Sequence, residues 1–246
     1  MQQQHVDWYE SWFGSPYYPI LYNHRDVDEA KDFVKNLIHY LQPPVGSTMA
    51  DIACGEGRHS RQLAAYGFEV IGTDLAAESI QIAKKYETDK LQFFVHDMRS
   101  PLYMNYFDFA FNFFTSFGYF EKYHDHELAA KAFASCLKQG GTLIIDYLNK
   151  ENALKKLVAN ETVERDFFTF YISRKLEQGH FIKNIQFEDE NGRERHFHES
   201  VAAFSIQDFK TLFHKAGLKL VTCFGDYDLS DYNEEFSPRM IMLFKK

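Results

Sequence analysis

The chain has 246 residues, 45% hydrophobic and 17% aromatic, enough for a sizeable core in one large domain or a domain carrying an insert. Its 27 basic and 35 acidic residues leave a net charge of −8 with no Lys/Arg block, which argues against a polynucleotide surface and favours basic or zwitterionic small ligands. Cys54, Cys136 and Cys223 are widely spaced and form no CxxC, so neither a disulfide framework nor a zinc site is expected, and the absence of a leader or bilayer-length apolar run predicts a cytoplasmic protein with no membrane partner.

Residues 1–24 are aromatic-rich, and Pro16 and Pro19 break any long helix there. The periodicity predicts a helix from about Asp28 to Leu41, with Ala30, Phe33, Val34, Leu37, Ile38 and Leu41 on one face and Pro43-Pro44 as its stop. Thr48 to Ala53 reads as a short buried strand, and Gly55 and Gly57 then supply a turn that tolerates positive φ and close approach of a ligand. A helix over Arg58–Tyr66 ends at Gly67, and Phe68–Asp74 is a second strand. Asp74 follows Gly57 by seventeen residues, and a carboxylate at that strand tip accepts both hydrogen bonds of a ribose diol. This is half of a nucleotide-binding βαβ unit. A dinucleotide fingerprint needs a third small residue, where this chain has Ser60, and Glu56 inside the turn repels a pyrophosphate. An acidic loop suits a ligand that carries positive charge.

Strands and helices alternate to about Leu148, which predicts a parallel doubly wound sheet. After Lys150 a short helix around Glu151–Val158 leads into alternating strands at Thr162–Glu177, Phe181–Glu188 and Arg193–Phe204, with Asn191-Gly192 as a hairpin turn. A helix from about Ile206 to Ala216 is capped by Ser205 and ended by Gly217. Lys219–Asp226 and Arg239–Lys245 are the last two strands, antiparallel to each other.

Asp51-Ile-Ala-Cys-Gly-Glu-Gly57 resembles the first motif of class I S-adenosylmethionine-dependent methyltransferases. Asp74 matches that family's ribose-binding acid, and His96-Asp97-Met98-Arg99 its adenine-contacting motif. Tyr106–Phe114 and Leu137–Asp146 match its fourth strand and the glycine turn into its fifth, so the motifs run in family order over roughly residues 45–150. Asn112 ends strand four where nucleic-acid and protein amino-methylating members have another pattern, which points away from those substrates. Phe114–Phe120 and the insert ending near Arg195–His198 are similar to small-molecule members, nearest those that N-methylate nucleotide-linked amino sugars.

The resemblance implies a Rossmann-like α/β fold, a seven-stranded methyltransferase sheet with an antiparallel β insert and an aromatic N-terminal lid. Residues 1–150 would be the cofactor-binding core with its lid, 151–204 the substrate insert, and 205–246 the helix and strands that complete the core. It implies S-adenosylmethionine as cofactor and methyl transfer to N or O of a small-molecule acceptor, by a monomer or homodimer. Ala53, Gly55 and Gly57 would line the methionine and ribose side; Leu75 and Met98 would sandwich adenine with Asp97 on its amine; Asn112 and Phe113 would lie under the methyl donor; and Tyr22 and Arg25 would meet the methionine carboxylate. Candidate bases are His24, His124, His126, His196 and His198, with no ligand set for a metal. A nicotinamide-dependent oxidoreductase and a non-catalytic cofactor-binding module are the alternatives.

Overall fold

The structure, a computed structural model, describes residues 8–22 and 27–246. The chain opens with two short helices, α1 (Trp8–Phe13) and α2 (Tyr17–Leu21), separated at Pro16; Pro19 is accommodated in the first turn of α2, where a missing N–H costs no helical bond. Helix α3 (Val27–Leu41) follows, and Ala30, Phe33, Val34 and Leu37 are buried along one face.

An alternating segment comes next: β1 (Thr48–Ile52), α4 (Arg58–Ala65), β2 (Glu69–Asp74), α5 (Ala77–Ala83), β3 (Leu91–Val95), β4 (Phe107–Asn112), α6 (Tyr123–Cys136) and β5 (Leu137–Leu148). The short helix α7 (Lys150–Lys155) leads into β6 (Asn160–Arg165), β7 (Phe168–Glu177), β8 (His180–Glu188) and β9 (Glu194–Ala202), and α8 (Ile206–Lys215), β10 (Lys219–Phe224) and β11 (Arg239–Lys245) finish the chain.

The main sheet has the order β10-β11-β5-β4-β1-β2-β3. Strands β1 to β5 pair in parallel, whereas β11 runs antiparallel to both β5 and β10. One face carries a core of Phe117, Phe133, Tyr147, Phe209 and Phe213 under α6 and α8, and the other a core of Phe33, Leu37, Leu63, Phe93 and Phe111 under α3, α4 and α5. The strands are apolar on both faces because both are covered. The pair Gly140-Gly141 lies within β5 as a bulge, with a register shift against β4 and φ of 78° at Gly140.

The antiparallel insert differs from its sequence reading in one respect. Thr162–Glu177 is two strands, because Asp166 turns the chain at φ 51° and leaves Phe167 fully exposed at the tip. The alternation of polar and apolar residues breaks at Glu164-Arg165-Asp166-Phe167-Phe168, but the turn carries no glycine, proline or Asn-Gly signal to mark it. The four-stranded sheet β6-β7-β8-β9 packs its apolar face against α1 and α2, with Trp8, Trp12, Leu21, Phe170, Ile172, Ile185 and Phe187 buried between them. Ser205 and Asp208 form a capping box that starts α8. Among the described residues no helix is long and apolar enough to cross a membrane.

Candidate active site

The site forms at the carboxyl ends of β1, β2 and β4, where an open parallel sheet leaves a crevice. The chain leaves β1 through Ala53 (φ 60°), Gly55 (φ 56°) and Gly57 (φ 77°), and Gly57 is the residue preceding α4. Gly57 and Gly72 have a packing reason to be glycine. A Cβ at Gly57 would lie 2.5 Å from the Phe93 ring and one at Gly72 2.6 Å from it, so β2, β3 and the turn close on that ring only without side chains. Gly55 has open space where its Cβ would point, which leaves its backbone accessible to a ligand.

Asp74 ties this turn to the second strand. Its carboxylate accepts the Gly55 N–H at 2.8 Å and the Ala76 N–H at 2.9 Å, one on each oxygen. Burial raises its pKa despite those bonds. Asp51 is also buried and accepts the Ser60 hydroxyl at 2.5 Å; burial pushes it up to about 7. Asp97 behaves oppositely. Burial pushes it up, but Arg99, bonded through Nε at 2.9 Å and Nη2 at 2.6 Å, outweighs this and holds the carboxylate below its usual range.

These groups border one cavity of about 410 Å³, within the range of small-molecule sites. Of the residues expected at the site, Tyr22, Ala53, Gly55, Asp74, Leu75, Asp97, Met98 and Phe113 all line it. Gly57 stands behind it against Phe93, and Asn112 is fully buried, donating to the Ile52 carbonyl at 2.9 Å across the tips of β1 and β4. Arg25 lies outside the described residues, as does His24.

None of the four described candidate bases borders the cavity. His124 and His196 are exposed beside Glu127 and Glu194, His198 packs near Trp8, and His126 is buried among Phe117, Phe120 and Phe204, where burial drives it down to about 4. The histidines that do border it are His59 and His96. His59 stacks on Phe113 with ring centroids 4.4 Å apart, and burial keeps it neutral, well below its ordinary pKa. Its place in the first turn of α4, whose side chains lean toward the helix N-terminus, is the sequence signal for it.

The opposite wall is aromatic: Tyr9, Phe13, Tyr18 and Tyr22 from the N-terminal segment meet Phe113, Phe114, Tyr119 and Phe120 from the segment after β4. Phe114 and Thr115 are both left-handed, at φ 63° and 67°, a strained pair for non-glycine residues. Asp146 holds them. It accepts the Phe114 N–H at 2.9 Å on Oδ2 and the Arg239 Nε–H at 2.8 Å on Oδ1, while its own carbonyl accepts the Thr115 N–H at 2.9 Å. Arg239 also donates to the Thr115 hydroxyl at 3.0 Å, and the Tyr227 hydroxyl donates to Asp146 at 3.2 Å. The sequence marks Asp146 as the end of a strand but carries no sign of this buried network.

The lining fits an adenosine cofactor bearing a sulfonium. Asp74 has lone pairs left for a diol, Gly55 admits close approach, and Glu56, Asp74 and Asp97 put negative charge beside it. Among the described residues no group of three or more His, Cys, Asp or Glu is arranged to hold a metal.

A parallel five-stranded segment completed by an antiparallel strand pair, with a glycine turn and an acid at the tips of β1 and β2, is the architecture of class I S-adenosylmethionine-dependent methyltransferases. The chain belongs to the methyltransferase-domain family, whose model matches residues 22–223, and it is an S-adenosylmethionine-dependent methyltransferase. It is 25% identical over 215 residues to the dTDP-3-amino-3,4,6-trideoxy-alpha-D-glucopyranose N,N-dimethyltransferase of Streptomyces venezuelae, covering 82% of this chain and 89% of that one. Its fold is similar to that of an S-adenosylmethionine-dependent methyltransferase from Clostridium acetobutylicum (TM-score 0.77, 19% identity, 93% of this chain and 95% of that one). It is also similar to that of a sugar N-methyltransferase from a Streptoalloteichus species (TM-score 0.69, 18% identity, 93% and 92%). With this family the nicotinamide alternative falls away, as the acidic Glu56 in the turn requires.

Proposed function

We propose that the enzyme transfers a methyl group from S-adenosylmethionine to an amine nitrogen on a small molecule of the amino-sugar class. The observation that carries this reading is the single cavity that runs from the Asp74–Gly55 turn to the aromatic wall, so that one space borders both the cofactor loop and the N-terminal helices. The identity to a sugar N,N-dimethyltransferase supports the acceptor class.

In this reading Asp74 accepts the ribose hydroxyls, and the backbone at Ala53 and Gly55 faces the methionine and ribose side. Leu75 and Met98 enclose adenine, with Asp97 receiving its amine. Phe113, backed by neutral His59, forms the floor beneath the reacting centre. The bound cofactor supplies a methyl group already activated for in-line displacement, so what the protein contributes is mainly position and exclusion of water. The tyrosines of the aromatic wall offer ring faces to a sugar or an ammonium and hydroxyls for hydrogen bonds. A chain with a net charge of −8 is poorly suited to a polynucleotide acceptor.

The test is incubation with S-adenosylmethionine and dTDP-3-amino-3,4,6-trideoxy-α-D-glucopyranose, alongside the same sugar bearing a hydroxyl at C3. The expected result is S-adenosylhomocysteine release with methyl addition to the amine alone, read by mass spectrometry. Methylation of the hydroxyl sugar alone would overturn the choice of nitrogen, and no turnover of either would overturn the acceptor class.

A further inference from the structure

The inner face of the insert sheet is largely apolar along its β8–β9 ladder. Reading along the β8–β9 ladder, Phe181 faces Val201, Lys183 faces Glu199, and Ile185 faces Phe197. Lys183 and Glu199 face each other in this stripe, 3.8 Å apart, with side chains only 14% and 17% exposed, whereas Glu161, Arg174 and Arg195 on the same face are 42%, 29% and 42% exposed. Two charges withdrawn from water gain little over a well-packed apolar pair of similar size. Their presence in this stripe therefore calls for a use other than stability.

Their contacts show one. Trp12 of α1 donates its indole N–H to Glu199 Oε1 at 2.8 Å, and the hydroxyl of Tyr22, just after α2, donates to the same oxygen at 2.5 Å. Lys183 donates to the Tyr22 hydroxyl and sits over its ring, 4.5 Å from the centroid. The rest of the packing between α1–α2 and the insert is largely ring against ring, which is strong but has little directionality. Bonds that converge on one carboxylate fix the register of the N-terminal segment on the sheet. That register sets the cavity wall, because Tyr9, Phe13, Tyr18, Pro19 and Tyr22 line the same space as Ala53, Gly55 and Asp74.

We propose that Glu199 and Lys183 are positioning residues for the cofactor: they border no part of the cavity, and they act through Trp12 and Tyr22 by clamping α1–α2 over it. The proposal builds on the placement of S-adenosylmethionine against Asp74 given above. With the clamp released, the aromatic core keeps the segment attached, but its residues no longer enclose the cofactor, and affinity falls without loss of the fold.

The experiment compares Lys183→Met/Glu199→Leu with the wild-type chain, with Asp74→Ala, and with Glu161→Gln/Arg174→Met, which removes another ion pair of the same sheet. S-adenosylmethionine affinity is read by calorimetry, and backbone exchange over residues 8–22 by deuterium labelling with and without S-adenosylmethionine. The expected result is a protein still folded at the assay temperature, its unfolding temperature lowered by the loss of the Trp12 indole's acceptor, with binding weakened by about tenfold or more and loss of the cofactor-induced protection of 8–22. Adding Tyr22→Phe to this variant costs less affinity than Tyr22→Phe costs in the wild-type chain, because its bonds to Glu199 and Lys183 are already gone. Tyr22→Phe alone, which deletes one hydroxyl, weakens binding by about threefold or more and keeps the test in force if the double variant unfolds early. Wild-type-like affinity, or an equal loss in the Glu161/Arg174 control, would overturn the clamp. Unaltered binding by Asp74→Ala would instead overturn the placement of the cofactor.

Discussion

Asp51, one residue before the end of β1, is fully buried, with Ser60 donating to one carboxylate oxygen and no hydrogen-bond partner for the other among the described residues. Burial pushes its pKa up from 3.8 to about 7, and that of Asp74 moves in the same direction for the same reason. A raised carboxylate pKa means that the folded protein binds protons the unfolded chain has released. For Asp51 the associated stability is present below about pH 4 and is lost as pH rises toward about 7, at up to about 1.4 kcal/mol per pH unit, and Asp74 acts in the same direction. Urea unfolding of the cofactor-free protein at several pH values between about 4 and 8 is expected to show this decline, and Asp51→Asn to remove Asp51's share of it. An equally steep decline in the variant would place the proton elsewhere. Much of this is open to a sequence reader, since glycines and an acid at fixed spacing announce the turn. The partner behind the turn is not: Phe93 against Gly57 and Gly72 is a contact made only when separate strands meet.

At the level of elements, the segment after β4 depends on a charge pair brought from the end of the chain. Arg239 begins β11, the neighbour of β5, and its register opposite Leu148 delivers the guanidinium to Asp146 at 2.7 Å. That pair stabilises the left-handed turn at Phe114-Thr115 and so presents Phe113 and Phe114 to the cavity. Arg239→Met should leave a buried carboxylate without its cation and lower the unfolding free energy by about 3–5 kcal/mol. A loss below about 1 kcal/mol in urea titration would show that the Tyr227 hydroxyl and the backbone amide suffice. Element type was largely readable from periodicity: α3, α4, α8 and the core strands lie where the apolar spacing places them. The turn at Asp166 was not, because it carries neither glycine nor proline. Of the candidate histidines, His24 is outside the described residues, and His124, His126, His196 and His198 lie away from the cavity, since adjacency in sequence says nothing about which face of a sheet meets a cavity.

The whole molecule joins a cofactor sheet, an insert sheet and an N-terminal aromatic segment around one space. The insert reaches that space mainly through α1 and α2, which it holds with an aromatic core and with the Glu199 bonds. This arrangement accounts for part of the aromatic excess seen in the composition: Trp8, Trp12 and Phe187 serve packing, whereas Tyr9, Phe13 and Tyr119 serve the cavity wall. Composition alone cannot divide the two sets, because ring chemistry is the same in both. The central claim is that this cavity holds S-adenosylmethionine with Asp74 as its anchor. Calorimetry of S-adenosylmethionine binding to the wild-type chain and to Asp74→Ala tests it most directly, with circular dichroism to confirm that the variant is folded. The account predicts binding near the micromolar range that weakens by roughly 100-fold in the variant, the worth of two hydrogen bonds to a charged group. Equal affinity in a folded variant would contradict it.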